Sequence, residues 1–298
     1  MMQRMMILTR GELHRREEAV VSGFVERNGD KAFAHVQELI KINANEGVLF
    51  RFRPPKEYEI DTLEAEQIFL CKPSIYEDTG DCEILYDIRD LCRYFMIEIK
   101  PEKYKRFSSM FDDAFYDEIM EKVKGKSAYE ALREKIRDQA LVACFSEKYE
   151  NYMWDEYASN SEGICLMYNL QEVFLAAGNE LKFYPVRYVD NRRNQKDIWF
   201  TSREYNERDD YELAHLKFLL SCLTKERIPY SKEAEWRLFH DFATLDKGES
   251  GKKFDFHVKP RAVIMGKNID NNPTFRDRVQ NYATLAGINL LKAQEIKK

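Results

Sequence analysis

The feature that most limits the fold of this 298-residue chain is its irregular spacing of strand and helix signals. Strand-like runs occur at Ala140 to Phe145, Gly163 to Tyr168, Phe183 to Val189, Glu233 to Phe239 and Ala262 to Met265. Helical periodicity lies between them at 149–158, 208–225 and 273–286, in segments of unequal length. A doubly wound parallel sheet needs a regular βαβ repeat and, for a dinucleotide, G-x-G-x-x-G; the chain has neither. The pattern predicts an α+β fold, a curved and mainly antiparallel (split) sheet surrounded by helices. The 12 glycines and 8 prolines fall below the roughly 12 % usual for that pair. No linker, internal repeat or low-complexity stretch divides the chain, so the expectation is one α+β domain over 47–298 behind an N-terminal helical extension at 1–46.

The first strand is expected at Val48 to Arg53, where period two puts Phe50 and Phe52 on one face and Arg51 and Arg53 on the other. Pro54 and Pro55 close it. A short helix from Tyr58 to Glu66 and a strand from Ile68 to Cys71 follow, and two or three helices are expected between Pro101 and Asp138.

Forty-seven basic against 52 acidic side chains leave a net charge of −5 with the signs interspersed, so a nucleic-acid partner requires a local basic patch. The six cysteines form no C-x-x-C pair, and several lie in apolar runs where a free thiol packs as a small hydrophobe. No signal segment and no run of about 18 apolar residues is present, which predicts a cytoplasmic protein without a membrane partner. Glu212-x-x-His215 is half of a di-iron signature without its partner, and Asp78-Thr-Gly-Asp81 lacks the alternation of a calcium loop, so no metal is assigned.

The stretch most suited to chemistry is KEAEWRLF, where strand alternation puts Glu233, Glu235 and Arg237 on one face and Trp236 on the buried one. Two carboxylates at i and i+2 on a rigid strand can stabilise a developing cation and activate a nucleophile; they also suit a solvated face neutralised by Arg237. Arg51 and Arg53 fit a pyrophosphate or carboxylate, and equally a cross-strand ion pair. Ser146 at a strand end can bind a ligand or cap the next helix. Trp154 and Tyr157, three apart on a helix, can make a core contact or a wall for a planar ring.

The strings ACFSE, MWDEYA with GICLMY after it, EAEWRL followed by PRAVIMG, and the opening LFRFR resemble, in order and spacing, the bacterial domain-of-unknown-function family twenty-nine seventy-one, from about Val48 to Gly266. That family's layout looks like a distant ADP-ribosyltransferase. The resemblance implies a transferase-like fold with NAD as substrate, Arg51 or Arg53 and Ser146 contacting it, Trp154 and Tyr157 beside it, and Glu235 binding the nicotinamide ribose with Glu233 orienting the acceptor. It also implies a toxin or phage-defence effector modifying RNA, DNA or protein. The extension at 1–46 is an addition to the family pattern, expected either to cover the sheet or to dock a partner such as an antitoxin or regulatory protein. The sequence departs from the pattern at Ile75-Tyr-Glu-Asp78, where relatives read Phe-Asn-Asp-Pro, and in having one serine where better-characterised transferases have Ser-x-Ser. An NAD glycohydrolase, a non-catalytic binding module and a magnesium-dependent nuclease are the competing expectations.

Overall fold

The computed structural model describes residues 47–76, 78, 80–83, 85–86, 137–178, 180–195, 198–200, 211–240 and 245–296. The expected extension at 1–46 and the helices expected across 101–136 lie outside the described residues.

A nine-stranded sheet organises the described chain. β1 (Val48–Arg53) pairs antiparallel along its length with β5 (Ile164–Asn169), which pairs with β12 (Ala262–Met265). β12 carries the sheet's one parallel neighbour, β13 (Asn289–Lys292), reached through α5 (Pro273–Ala286). On the other side of β1 the sheet forks at β4 (Leu141–Ser146): β1 meets β4 at Phe50 opposite Ser146, and β2 (Gln67–Cys71) meets it at Cys71 opposite Val142. β4's other edge is lined by β10 (Glu235–His240), which also pairs with β6 (Lys182–Pro185). β11 (Gly251–Asp255) closes the β2 edge. Apart from this sheet, β3 (Leu85–Tyr86) and β8 (Trp199–Phe200) pair parallel in a short ladder. The fold is therefore mixed α/β around a mostly antiparallel open sheet.

Local sequence explains most of these elements. In β1, Leu49 goes to one core and Phe50 and Phe52 to a second, which they share with Met153 and Trp154 of α2 (Asn151–Glu156). α1 (Glu57–Glu64) buries Ile60 and follows β1 after the two prolines. Gly163 precedes β5 where a Cβ would stand 2.0 Å from the Arg53 carbonyl oxygen, so only glycine allows the two backbones so close. Trp236 is buried against the stacked ring of Phe183, 5.0 Å between centroids, and donates to Glu147 at 2.8 Å.

Several expectations are corrected. The run Phe183 to Val189 is two strands, not one: it breaks after Pro185, and β7 (Arg187–Val189) pairs parallel with β9 (Thr224–Glu226) in a separate ladder. The Val186 N–H still donates to the Glu235 carbonyl at 2.9 Å, and the next N–H, of Arg187, goes instead to the Leu223 carbonyl at 2.8 Å, which turns the chain into the second ladder. The helix expected over 208–225 is α4 (Tyr211–Cys222), shortened by β9. α3 (Leu170–Ala177) was not read from the sequence; Asn169 ends β5 and caps this helix by accepting from the Glu172 N–H at 3.0 Å. The strand expected from Glu233 starts at Glu235, because Ser231–Glu233 is a 3-10 turn and Ala234 lies in the left-handed region at φ 44°. No described helix is long and apolar enough to cross a membrane.

Candidate functional site

The two carboxylates come together through the turn rather than through strand alternation. The left-handed Ala234 links the 3-10 turn to β10, and the side chains on either side of it reach one lysine. Lys225 of β9 donates from Nζ to Glu233 Oε2 at 3.1 Å and to Glu235 Oε2 at 3.2 Å, with Asp81 Oδ2 at 3.9 Å. Its ammonium also lies 4.4 Å from the centre of the Tyr230 ring.

Behind this lysine is Arg237, 0 % exposed. Its guanidinium donates to Glu235 Oε1 at 2.7 Å from Nε, to Asp81 Oδ2 at 2.8 Å from Nη2 and to the Cys222 carbonyl at 2.6 Å from Nη1. The loop bearing Asp81 is fixed by the buried Arg192, which donates to the carbonyls of Gly80, Glu83 and Ser221 at 2.7, 2.7 and 3.0 Å. The Tyr188 hydroxyl of β7 accepts the Glu235 N–H at 3.0 Å. Glu235, 5 % exposed, is thus sealed behind two cations.

Glu233 is placed differently. It is also buried, but its Oε1 accepts at 2.7 Å from the hydroxyl of Tyr157, a residue 46 % exposed that caps the C-terminus of α2. The Ser146 hydroxyl lies 2.5 Å from the Glu233 carbonyl and 2.9 Å from that of Lys148, and it accepts the Lys148 N–H at 2.9 Å. Ser146 therefore fastens the turn carrying Glu233 to the end of β4, and its hydrogen-bonding capacity is taken up by backbone.

The same setting pushes the two carboxyls apart. Burial raises that of Glu233, and the like charge of Glu235 adds to this against the opposing Lys225. Burial acts upward on Glu235 too, but Arg237 and Lys225 outweigh it and hold the group below the usual carboxylate range. Asp81 follows the same logic: burial opposes ionisation, Arg237 and Lys225 win, and the carboxyl falls to about 2. Burial lowers the Lys225 ammonium, but Glu235 and Asp81 overcome it and keep the lysine charged. A protonatable carboxylate next to a permanently ionised one is an arrangement able to move a proton and stabilise positive charge.

The other sequence candidates lie elsewhere. Arg51 and Arg53 leave β1 on the face opposite Phe50, whereas Ser146 and Glu235 share the Phe50 face through the β1–β4 and β4–β10 registers. Arg53 donates to both carboxylate oxygens of Glu59, from Nε at 2.8 Å. Arg51 is buried in the fork between β1 and β2, donating to the Phe69 carbonyl at 3.2 Å with its guanidinium 5.4 Å from the Phe145 ring centre. Trp154 is a core residue, edge-on to Phe52 at 5.1 Å and donating to the Tyr149 hydroxyl at 3.1 Å. The structure brings together Glu233, Glu235, Ser146 and Tyr157; it does not bring Arg51, Arg53 or Trp154 to them.

Residues 153–238 match the family model described as Protein of unknown function (DUF2971). That segment holds Tyr157, Tyr188, Lys225, Glu233, Glu235 and Arg237, and leaves out Arg51, Arg53, Asp81 and Ser146. No curated protein and no solved structure matches the chain. Sequence reading missed Lys225 and Asp81: the lysine is the first of three consecutive charges, Lys225-Glu226-Arg227, after an apolar run, and the aspartate belongs to a loop considered only for calcium. Among the described residues no cluster of three or more histidine, cysteine or acidic side chains could hold a metal ion.

Proposed function

We propose that Glu233 and Glu235 form the catalytic centre of an NAD-dependent ADP-ribosyltransferase whose acceptor is a nucleic acid or a protein, as in a toxin or phage-defence effector. The observation that carries this reading is the division of labour within the pair: Glu235 sealed behind Arg237 and Lys225, Glu233 in contact with a half-exposed phenol. In the reaction, the bond between the ribose C1′ and the nicotinamide nitrogen breaks, and nicotinamide leaves with the electron pair as a neutral ring. An acceptor O–H or N–H forms the new bond to C1′, and its proton passes to Glu233. Glu235 contributes fixed negative charge behind the cationic transition state, held ionised by its two partners. These roles keep the sides implied by the family resemblance, Glu235 toward the ribose and Glu233 toward the acceptor, with Glu233 the member in contact with a half-exposed side chain. NAD as donor rests on that resemblance, and Arg51 and Arg53 take no part, lying on the other face.

A non-catalytic binding module is the second reading, favoured by one observation: Glu235 is fully engaged by Arg237 and Lys225, as in a purely structural ion network. Incubating the protein with labelled NAD and separate pools of RNA, DNA and protein decides between them. The transferase reading expects label on one pool and a loss on the order of a hundred- to a thousandfold in Glu233→Gln. NAD left intact in every pool would favour the binding module, and free ADP-ribose without labelled acceptor would make water the acceptor.

A further inference from the structure

Tyr157 marks the open side of Glu233 in the reading above, but that reading gives its hydroxyl no task of its own. Tyr157 follows the last residue of α2, and the backbone immediately after it is unusual: Ser159, Asn160 and Ser161 all have positive φ, at 50°, 53° and 66°. L-residues in succession in this region are costly, and such strain persists where the surroundings fix it. Here they do. The Ser161 N–H donates to the Trp154 carbonyl at 2.9 Å, and the Gly163 N–H to that of Ala158 at 3.0 Å. From the other side Asn268 donates its backbone N–H to the Ser161 carbonyl and its side-chain amide to that of Asn160, at 2.9 and 2.8 Å. The left-handed turn is thus bolted to both the helix and the loop after β12, and it ends α2 where the Tyr157 phenol meets Glu233.

The neighbours of Glu233 come from several elements. β9 supplies Lys225, β10 supplies Glu235, α2 and its cap supply Tyr157, and the field of Glu233 also reaches Tyr152 and Tyr188. Lys225 is nearly buried, so of the described groups bonded to the Glu233 carboxylate the phenol is the one that reaches solvent. The phenol donates to Oε1 at 2.7 Å while Lys225 donates to Oε2 at 3.1 Å, so both carboxylate oxygens are held.

We propose that Tyr157 is the positioning residue of Glu233: its phenol aims Oε1 at the surface and favours the ionised carboxylate that accepts the substrate's proton. The proposal rests on the transferase reading for its consequence in turnover, but not for the contact itself. A hydrogen bond donated to the charged form stabilises that form, so its loss raises the pH at which Glu233 ionises. In Tyr157→Phe, which keeps the ring and removes the donor, the acidic limb of kcat/KM for NAD cleavage should move to higher pH by about one unit. A carboxyl-labelled glutamate NMR titration, assigned with Glu233→Gln, should show the same upward displacement of Glu233 without requiring turnover. A ring that only packs would leave both unchanged. An unmoved Glu233 titration in Tyr157→Phe overturns the inference. A moved titration in a protein that never cleaves NAD supports the contact and overturns the transferase reading alone.

Discussion

On one face of the sheet Arg51 and Arg53 leave β1 two residues apart; on the other, Glu235 and Arg237 leave β10 at the same spacing. Around Arg237 every buried charge has an opposite charge in contact: Asp81 and Glu235 on the guanidinium, Glu233 and Glu235 on Lys225. Around Arg51 the partners are a carbonyl and an aromatic face, and Nη1 has no hydrogen-bond partner; burial lowers the guanidinium's ordinary proton affinity. Both arginines are interior, yet one is the centre of a charge network and the other fills the fork where β1 and β2 separate from β4. The difference teaches that a charged pair on a strand has no fixed meaning: what the neighbouring elements bring to it decides.

The largest effect expected from this comparison comes from Arg237→Met. The substitution keeps an apolar side chain of similar length and leaves Asp81 and Glu235 buried without their guanidinium. Removing one partner of a buried ion network costs roughly 3 to 5 kcal/mol, because the remaining charges are uncompensated. Urea denaturation should show the midpoint falling accordingly. A loss below about 1 kcal/mol would mean that Lys225 alone neutralises the site, and the network would be looser than its distances imply.

A second effect, of intermediate size, separates the acidic members by pH. The folded Asp81 carboxyl lies at about 2, below the ordinary 3.8, so its ionisation contributes stability above that ordinary value which is lost as pH falls through the folded one. About 2 kcal/mol should disappear between roughly pH 4 and pH 2. Glu233 has the opposite sign: its folded group is raised, so its contribution is fully present below the ordinary carboxylate range and declines as pH rises through the shifted one. Asp81→Asn should flatten the acid limb of a stability–pH curve, and Glu233→Gln should remove the decline on the higher side. Identical curves for both variants would show that the two carboxyls share one environment, contrary to the division on which the proposed chemistry stands.

Much of the scaffold was legible in the sequence, for a physical reason that also explains the misses. β1 and α5 follow the alternation or periodicity of their apolar residues, and β12 is a short apolar run, because each buries apolar side chains against a large core. β11 reads Gly-Lys-Lys-Phe-Asp at a sheet edge with only Phe254 buried, so no alternation marks it. Glu233 and Glu235 were singled out correctly as neighbours but for the wrong geometry, since the left-handed Ala234 has no signature in the residue types around it. Asp81 was invisible because it reaches the site from 152 residues before Glu233, and Lys225, only 8 residues before it, because the contact depends on the chain turning back between β9 and Glu233, which no helix or strand period marks.

The smallest expected effect tests the other half of the comparison. Arg51→Met replaces the buried guanidinium by an unbranched apolar chain, losing one hydrogen bond to the Phe69 carbonyl and the contact with the Phe145 ring. Against these losses stands the removal of a buried cation that touches no carboxylate among the described residues, whose desolvation opposes folding. The two nearly cancel, and the urea midpoint should change by no more than the equivalent of about 1 kcal/mol in either direction. Because Arg51 lies on the face away from Glu233, NAD cleavage by the variant should also stay within about twofold of the wild type, a shift of under half a kcal/mol. A fall in turnover with stability preserved would mean that the fork between β1 and β2 communicates with the acid pair, and Arg51 would return to the site that its place in the sequence first suggested. A large loss of stability would instead make the fork, not the charge network, the weak point of the sheet.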